Sequence, residues 1–261
     1  MSHQSDRRTF LKRGIGASLC AATWARTASG KSPNGKIHHA AVGVGGKGWS
    51  DVMAFASHPQ VVITALCDVD AARARRATQQ FPQARCYQDW RELLAKEGDK
   101  IDAVSVSTPD HMHAPVSMTA INKGKHVFAQ KPMTHDIYEA RKLRELAKAK
   151  QVATQMGTQG MAMDGARAGV EMVRSGVLGK VRELHVWTDR AKGWWPQGID
   201  RPAETPPVPE GLDWDLWLGP SPWRPYNHRY VSGGWRGHYD FEGAANFPDW
   251  GAHTVDLCQW A

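Results

Sequence analysis

Two groups of residues in this chain have the types and spacing to move a proton beside a reacting carbon. The first is Asp249-Trp-Gly-Ala-His253-Thr-Val-Asp256. On an α-helix, positions i, i+4 and i+7 share a face, which lines up Asp249, His253 and Asp256. A carboxylate beside an imidazole orients it and raises its pKa, so the ring exchanges a proton near neutral pH. The second is Lys131, in Gln130-Lys131-Pro132, where the strand pattern His126 to Gln130 stops. A lysine before proline is ordinarily a solvated loop residue. At the mouth of a ligand crevice, the same cation stabilises a developing alkoxide and lowers the pKa of a reacting hydroxyl.

These groups need an element that brings a reaction partner to them, and residues 37–49 supply one. Ala40 to Val44 is a short apolar run suited to a buried parallel strand. It meets Gly43-x-Gly45-x-x-Gly48, and an amphipathic segment follows from Trp49 to Ala56. One glycine permits the tight turn, one lets backbone N–H groups reach a pyrophosphate, and one lets the helix pack on the strand. The helix N-terminus then offers unpaired donors and a positive dipole end to phosphates. In a chain with 25 glycines the motif by itself is weak. The next strand, Val61 to Cys67, ends in Asp68, 20 residues past Gly48. A carboxylate at that place accepts the ribose hydroxyls of an adenosine and disfavours a 2′-phosphate, so NAD is expected; Arg73 and Arg75 nearby keep NADP open.

Residues 36–158 alternate strand-like and helix-like segments, the pattern of βαβ units on a doubly wound parallel sheet. Helices are expected over 70–80, 89–95, 115–123 and 136–150, and strands over 103–107, 126–130 and 152–157. Thr108-Pro109-Asp110-His111-Met112-His113 forms a polar loop at a strand's carboxyl end, where such sheets bind ligands. No third ligand has suitable spacing to join His111 and His113 on a metal. His113 is read as a loop-shaping or cofactor-edge residue, and His111 as solvent-exposed.

The order Gly43-x-Gly45-x-x-Gly48, Asp68, Ser107-Thr108-Pro109-x-x-x-His113 and Lys131-Pro132 resembles the glucose–fructose oxidoreductase and inositol dehydrogenase family, Gfo/Idh/MocA. The resemblance covers nearly all of residues 36–261. It implies a Rossmann domain that holds the dinucleotide through Gly43, Gly45, Gly48, Asp68, Ser107, Thr108, Pro109, His113, Gln130 and Lys131. It also implies catalysis by Lys131, Asp249 and His253, with Asp256 on substrate hydroxyls. The family normally reads Glu-Lys-Pro where this chain has Gln130-Lys131-Pro132. Glutamine still hydrogen-bonds a carboxamide but brings no charge.

The remaining chain, 159–261, is read as a partial α+β domain. It has a helix over 165–175, one strand over 179–187 of an incomplete open antiparallel sheet, and a Trp- and Pro-rich insertion over about 188–245. Nine of the 12 tryptophans lie from Trp187 onward. Packing is the ordinary fate of tryptophan, and stacking on a sugar ring the rarer one. The family's chains continue past Ala261, so the sequence reads as a truncated member whose sheet edge is exposed, and which is poorly stable or inactive alone.

The formal net charge is +7, and residues 1–30 carry five basic side chains against one acidic. The rest is ordinary for a soluble domain and makes no case for nucleic acid. Asp6-Arg7-Arg8-Thr9-Phe10-Leu11-Lys12 resembles a twin-arginine export signal, followed by a weakly apolar stretch too short to span a bilayer. Periplasmic or secreted location is expected, with no membrane attachment after removal of the leader. Four cysteines, one of them in the leader, cannot form a disulfide framework, and Cys67 and Cys86 are read as core filler.

The expected activity is hydride transfer between a nicotinamide cofactor and a sugar, polyol or glycoside hydroxyl, by a protein that is a homo-oligomer when full length. Two other readings stand beside it. One is a redox-neutral enzyme that cleaves glycosides by oxidation and elimination around a tightly held NAD. The other is a nucleotide-binding module without catalysis.

Overall fold

The computed structural model describes residues 35–187, 199–242 and 247–261. Six strands build one sheet: β1 Ile37–Val42, β2 Val61–Cys67, β3 Arg85–Tyr87, β4 Ala103–Val106, β5 His126–Gln130 and β6 Thr154–Gly157. All neighbours pair in parallel, in the order β3-β2-β1-β4-β5-β6. Winding reverses between β1 and β4, which opens a crevice at their carboxyl ends.

Helices cover both faces. α1 Lys47–Ala56 and α2 Ala71–Gln80 pack on one side; α3 Trp90–Glu97, α4 His113–Asn122 and α5 Ile137–Lys150 pack on the other. The period of two along β1 assigns its residues accordingly. Ala40 and Val42 join the core with Leu93, Val116, Ile121 and Leu143, while Ala41 joins Val52, Ile63 and Leu66. Asp70, Asp89 and Asp136 cap α2, α3 and α5 by accepting backbone N–H bonds. No side chain caps α1, which starts after Gly46 inside the glycine loop; Gly48 N–H donates to Gly45 O at 2.9 Å.

The described residues of the second half include α6 Asp164–Arg174, the short helices α7 Trp214–Leu218, α8 His228–Val231 and α9 Tyr239–Glu242, and the last helix, α10 Ala252–Trp260. Trp214, Trp217, Leu218, Tyr226, Tyr230, Trp235 and Phe241 form a third core that packs on Val69 and Leu212. Trp214 stacks on Trp217 with ring centroids 4.8 Å apart, so these two tryptophans are packing residues first. The segment is stitched to the end of β2: Ala71 N–H donates to Gly211 O and Asp213 N–H to Val69 O, each at 2.9 Å.

Two expectations fail here. Residues 179–187 form no strand, and Val181, Leu184, Val186 and Trp187 are exposed. Apolar alternation makes a strand only where a partner takes its backbone hydrogen bonds, and none lies beside it among the described residues. Cys86 is exposed on the edge strand β3 rather than in the core, unlike the buried Cys67. The expected leader, 1–30, lies outside the described residues, as do positions 188–198 and 243–245 of the insertion. Among the described residues no helix is long and apolar enough to cross a membrane.

Candidate active site

One cleft of about 610 Å³ runs over the carboxyl ends of β1, β2, β4 and β5. Gly43, Gly45, Gly46 and Lys47 line it from the glycine loop, Asp68 and Arg73 from β2 and α2, and Ser107 to Asp110 from the loop after β4. Gln130, Lys131 and His113 line it too, and Asp249, Trp250 and His253 close it.

The loop has the close approaches a dinucleotide requires. Gly43 sits at φ +79°, and a Cβ there would lie 2.7 Å from Ser107 O. A Cβ on Gly48 would lie 1.9 Å from Gly43 O, so the first turn of α1 touches the loop backbone. These residues fit a pyrophosphate set against an uncapped helix N-terminus. Asp68 does more than wait for a ribose. Its Oδ2 accepts from Val44 N at 3.0 Å and Gly45 N at 3.1 Å, and its Oδ1 from Asp70 N at 3.1 Å. Burial raises its pKa, and those three backbone donors oppose the rise. Oδ2 is filled by its two donors, and Oδ1, with one, keeps a second lone pair for a hydroxyl donor.

His113 is a clamp. Its Nδ1 lies 2.6 Å from Pro132 O and its Nε2 2.8 Å from Thr108 O, tying the loop after β4 to the turn that carries Lys131. Burial lowers its pKa to about 4, against the pull of the two carbonyls. A neutral ring has one N–H and so donates to one of them at a time. His111, expected at the surface, is 2% exposed. Its Nε2 meets Trp217 O at 2.9 Å and its ring packs against Trp217 and Phe241, because the insertion covers this loop.

Lys131 and Asp249 meet although 118 residues separate them. Lys131 Nζ donates to Asp249 O at 2.9 Å and forms an ion pair with Asp249 Oδ1. Arg236 Nε lies 3.7 Å from the same oxygen. The expected Asp249–His253 pair does not form. Phe247–Gly251 is wound as a π-helical turn, so the α-helical face that would join the two residues is broken before α10 begins. His253 lines the cleft with its ring centroid 5.6 Å from that of Trp250. Its pKa is lowered rather than raised: burial comes first, then the Lys131 charge, with Asp249 opposing. Asp256, further along α10, does not line the cleft.

Four charged residues escaped the reading of the sequence. Asp51, on α1, is 4% exposed and accepts from Ser107 and Gln130, both of which line the cleft. Asp110 and Glu242 are buried near Lys131 and Arg236; burial pushes the Asp110 pKa well up and that of Glu242 to about 8, so Glu242 holds its proton at neutral pH. Arg236 enters from the insertion, its guanidinium 3.9 Å from the Trp235 ring centroid. A lone acid in the amphipathic run of α1 was the available signal for Asp51, and the polar loop 108–113 that for Asp110; no local pattern marks Glu242 or Arg236.

The six-stranded order and the glycine cradle define a dinucleotide-binding protein of the α/β class. A family model described as oxidoreductase family, NAD-binding Rossmann fold, matches residues 37–158, and its companion, oxidoreductase family, C-terminal alpha/beta domain, matches 167–261. The chain belongs to the Gfo/Idh/MocA oxidoreductase family. A glycosyl hydrolase family 109 protein of Shewanella putrefaciens is 30% identical over 213 residues, covering 69% of this chain and 45% of the relative. This chain thus spans about half the length of the curated relatives it matches. Among solved structures, a 3-ketoreductase from Actinomadura kijaniata, in complex with NADP and TDP-benzene, is 28% identical at TM-score 0.51, covering 56% of this chain and 45% of that one. A myo-inositol 2-dehydrogenase from Lactobacillus plantarum, 23% identical at TM-score 0.52 with 56% and 43% coverage, shares the fold.

Proposed function

We propose that this chain belongs to an exported NAD(P)-dependent oxidoreductase acting on a sugar, polyol or glycoside hydroxyl. The observation that carries the reading is the convergence of Lys131, Asp249 and His253 on the cleft that the glycine loop opens. When bound, the nicotinamide takes up or returns the hydride. Gly43, Gly45 and the α1 N-terminus would hold the pyrophosphate, Asp68 the ribose, and Thr108, Pro109 and Gln130 the nicotinamide end. Lys131, its ammonium fixed by the Asp249 carboxylate and carbonyl, stabilises the developing alkoxide. His253, with its lowered pKa, is a neutral imidazole and removes the hydroxyl proton at a ring nitrogen. Asp68 favours NAD over NADP.

The Arg7-Arg8 pattern supports twin-arginine export with the cofactor loaded before passage; cell fractionation of the native protein tests this. A second reading is favoured by the relatives named glycosyl hydrolase family 109. A sugar carbon is oxidised, its neighbour loses a proton, the aglycone leaves with the bonding electrons, water adds, and the same hydride returns. Incubating the full-length protein with NAD and a panel of polyols and glycosides separates the two. NADH accumulation with polyols supports the oxidoreductase; glycoside cleavage without net NADH supports the hydrolase. Activity unchanged by Lys131→Ala and His253→Ala would remove the assigned roles from both.

A further inference from the structure

The resemblance places a glutamate at position 130, and this chain carries glutamine there. The missing carboxylate has a counterpart one hydrogen bond away. Gln130 Nε2 donates to Asp51 Oδ2 at 2.8 Å. Ser107 Oγ donates to the same oxygen at 2.8 Å, and Lys47 Nζ pairs with Oδ1. Asp51 therefore joins α1, the loop after β4 and the end of β5, the three elements that form this side of the cleft.

The chemistry fixes the direction of the chain of bonds. An ionised carboxylate accepts only, so the nitrogen of the Gln130 amide must face Asp51. That leaves Gln130 Oε1 to accept from Lys131 N at 3.3 Å. Gly157 leaves room for this arrangement, since a Cβ there would come within 2.8 Å of the Gln130 amide. A glutamate at 130 would instead set two carboxylates at hydrogen-bond distance, and one would have to take up a proton. Neutral Gln130 and charged Asp51 thus explain each other. The charge is held where water does little to screen it, because Asp51 is 4% exposed while its partner Lys47 keeps a side chain 51% exposed.

We propose that Asp51 and Gln130 form a transposed carboxylate pair, in which Asp51 is a positioning residue that supplies the negative charge for the nicotinamide end of the cleft and sets the orientation of Gln130 and Lys131. This rests on the dinucleotide reading of the cleft. The oxidised nicotinamide ring is cationic and the reduced ring neutral, so a nearby carboxylate favours NAD⁺ over NADH. A purely structural role would weaken both forms alike.

The test measures dissociation constants of NAD⁺ and NADH by tryptophan fluorescence for the 261-residue chain and for Asp51→Asn, Gln130→Glu and the double variant. Thermal unfolding without ligand checks each fold. Asp51→Asn is expected to lower the NAD⁺ preference about 3-fold or more, a modest Coulombic effect at an effective dielectric near that of a protein surface. The double variant, which returns the carboxylate to position 130, is expected to restore the preference to within about 2-fold. Equal weakening of both forms by Asp51→Asn, or a double variant no better than the worse single one, overturns the inference. If Asp51→Asn fails to fold, the double variant decides alone: a retained preference supports the pair and a lost one overturns it. Failure of the unaltered chain to bind either form would overturn the cofactor reading and this inference together.

Discussion

Gly48→Ala puts the geometry of the loop to a direct test. The added Cβ would stand 1.9 Å from Gly43 O and 2.7 Å from Gly43 C, with Ser107 Cβ at 3.2 Å. Two of these three are backbone atoms of the turn itself, so no rotamer change relieves the clash. Either α1 withdraws from β1 or the turn opens, and both separate the N-terminal N–H groups from the phosphate position. Overpacking of this kind costs roughly 1–3 kcal/mol. In a domain of this size that corresponds to a fall in Tm of about 2–12 °C. Affinity for NAD is expected to drop at least ~10-fold, since loss of one charge-assisted hydrogen bond alone is worth about 1.5–3 kcal/mol. The control is Gly169→Ala, in the exposed middle of α6, where a Cβ meets nothing within 4 Å. It is expected to stabilise by about 0.4–1 kcal/mol through the unfolded chain. Calorimetric melts and NAD titration of both variants provide the comparison. A Gly48→Ala protein that melts and binds like the unaltered chain would refute the close-approach argument.

Lys131→Met leaves the Asp249 carboxylate, 3% exposed, with Arg236 at 3.7 Å as the remaining cation. Removing one partner of a buried pair costs about 3–5 kcal/mol, so urea midpoints should fall, and kcat/KM should fall at least ~100-fold. His253 acts as a base only when neutral, and its pKa lies below 6.5, lowered first by burial and then by Lys131. The acid limb of the kcat/KM profile should therefore fall below pH 6.5, and Lys131→Met should move its midpoint upward; an unmoved limb would exclude His253 as the titrating base. Finally, His39, His111 and His113 are buried with pKa values of about 4, all lowered by burial from 6.5. Their folded pKa is depressed, so the fold is most stable above pH 6.5 and loses stability as the pH falls toward 4. Each contributes up to roughly 2 kcal/mol of loss at pH 5, and urea titrations at pH 7 and 5 should show it; equal midpoints would contradict the burial.

The parts of this protein that depend on neighbours in sequence were legible in the sequence. β1, the glycine loop and the helix after it follow one another within 20 residues, and their geometry is set by apolar runs and by where a Cβ cannot fit. The same holds for the strand and helix alternation through β6, and for Asp68 at the end of β2. What the tertiary structure decided are pairings between distant segments. The Asp249–His253 pair requires an unbroken α-helix; a π-helical turn breaks that face, and Asp249 pairs with Lys131 instead. His111 looked exposed because its loop is polar, and is buried because Trp217 and Phe241 arrive from more than 100 residues away. Residues 179–187 alternate like a strand, yet a strand exists only with a partner. Gln130 stands out in the sequence only as a lost carboxylate, and Asp51, 79 residues away, only as a lone acid, until packing joins them. A local pattern fixes which atoms a residue presents, but the partner that decides its charge and its role is supplied by the packing of the whole chain.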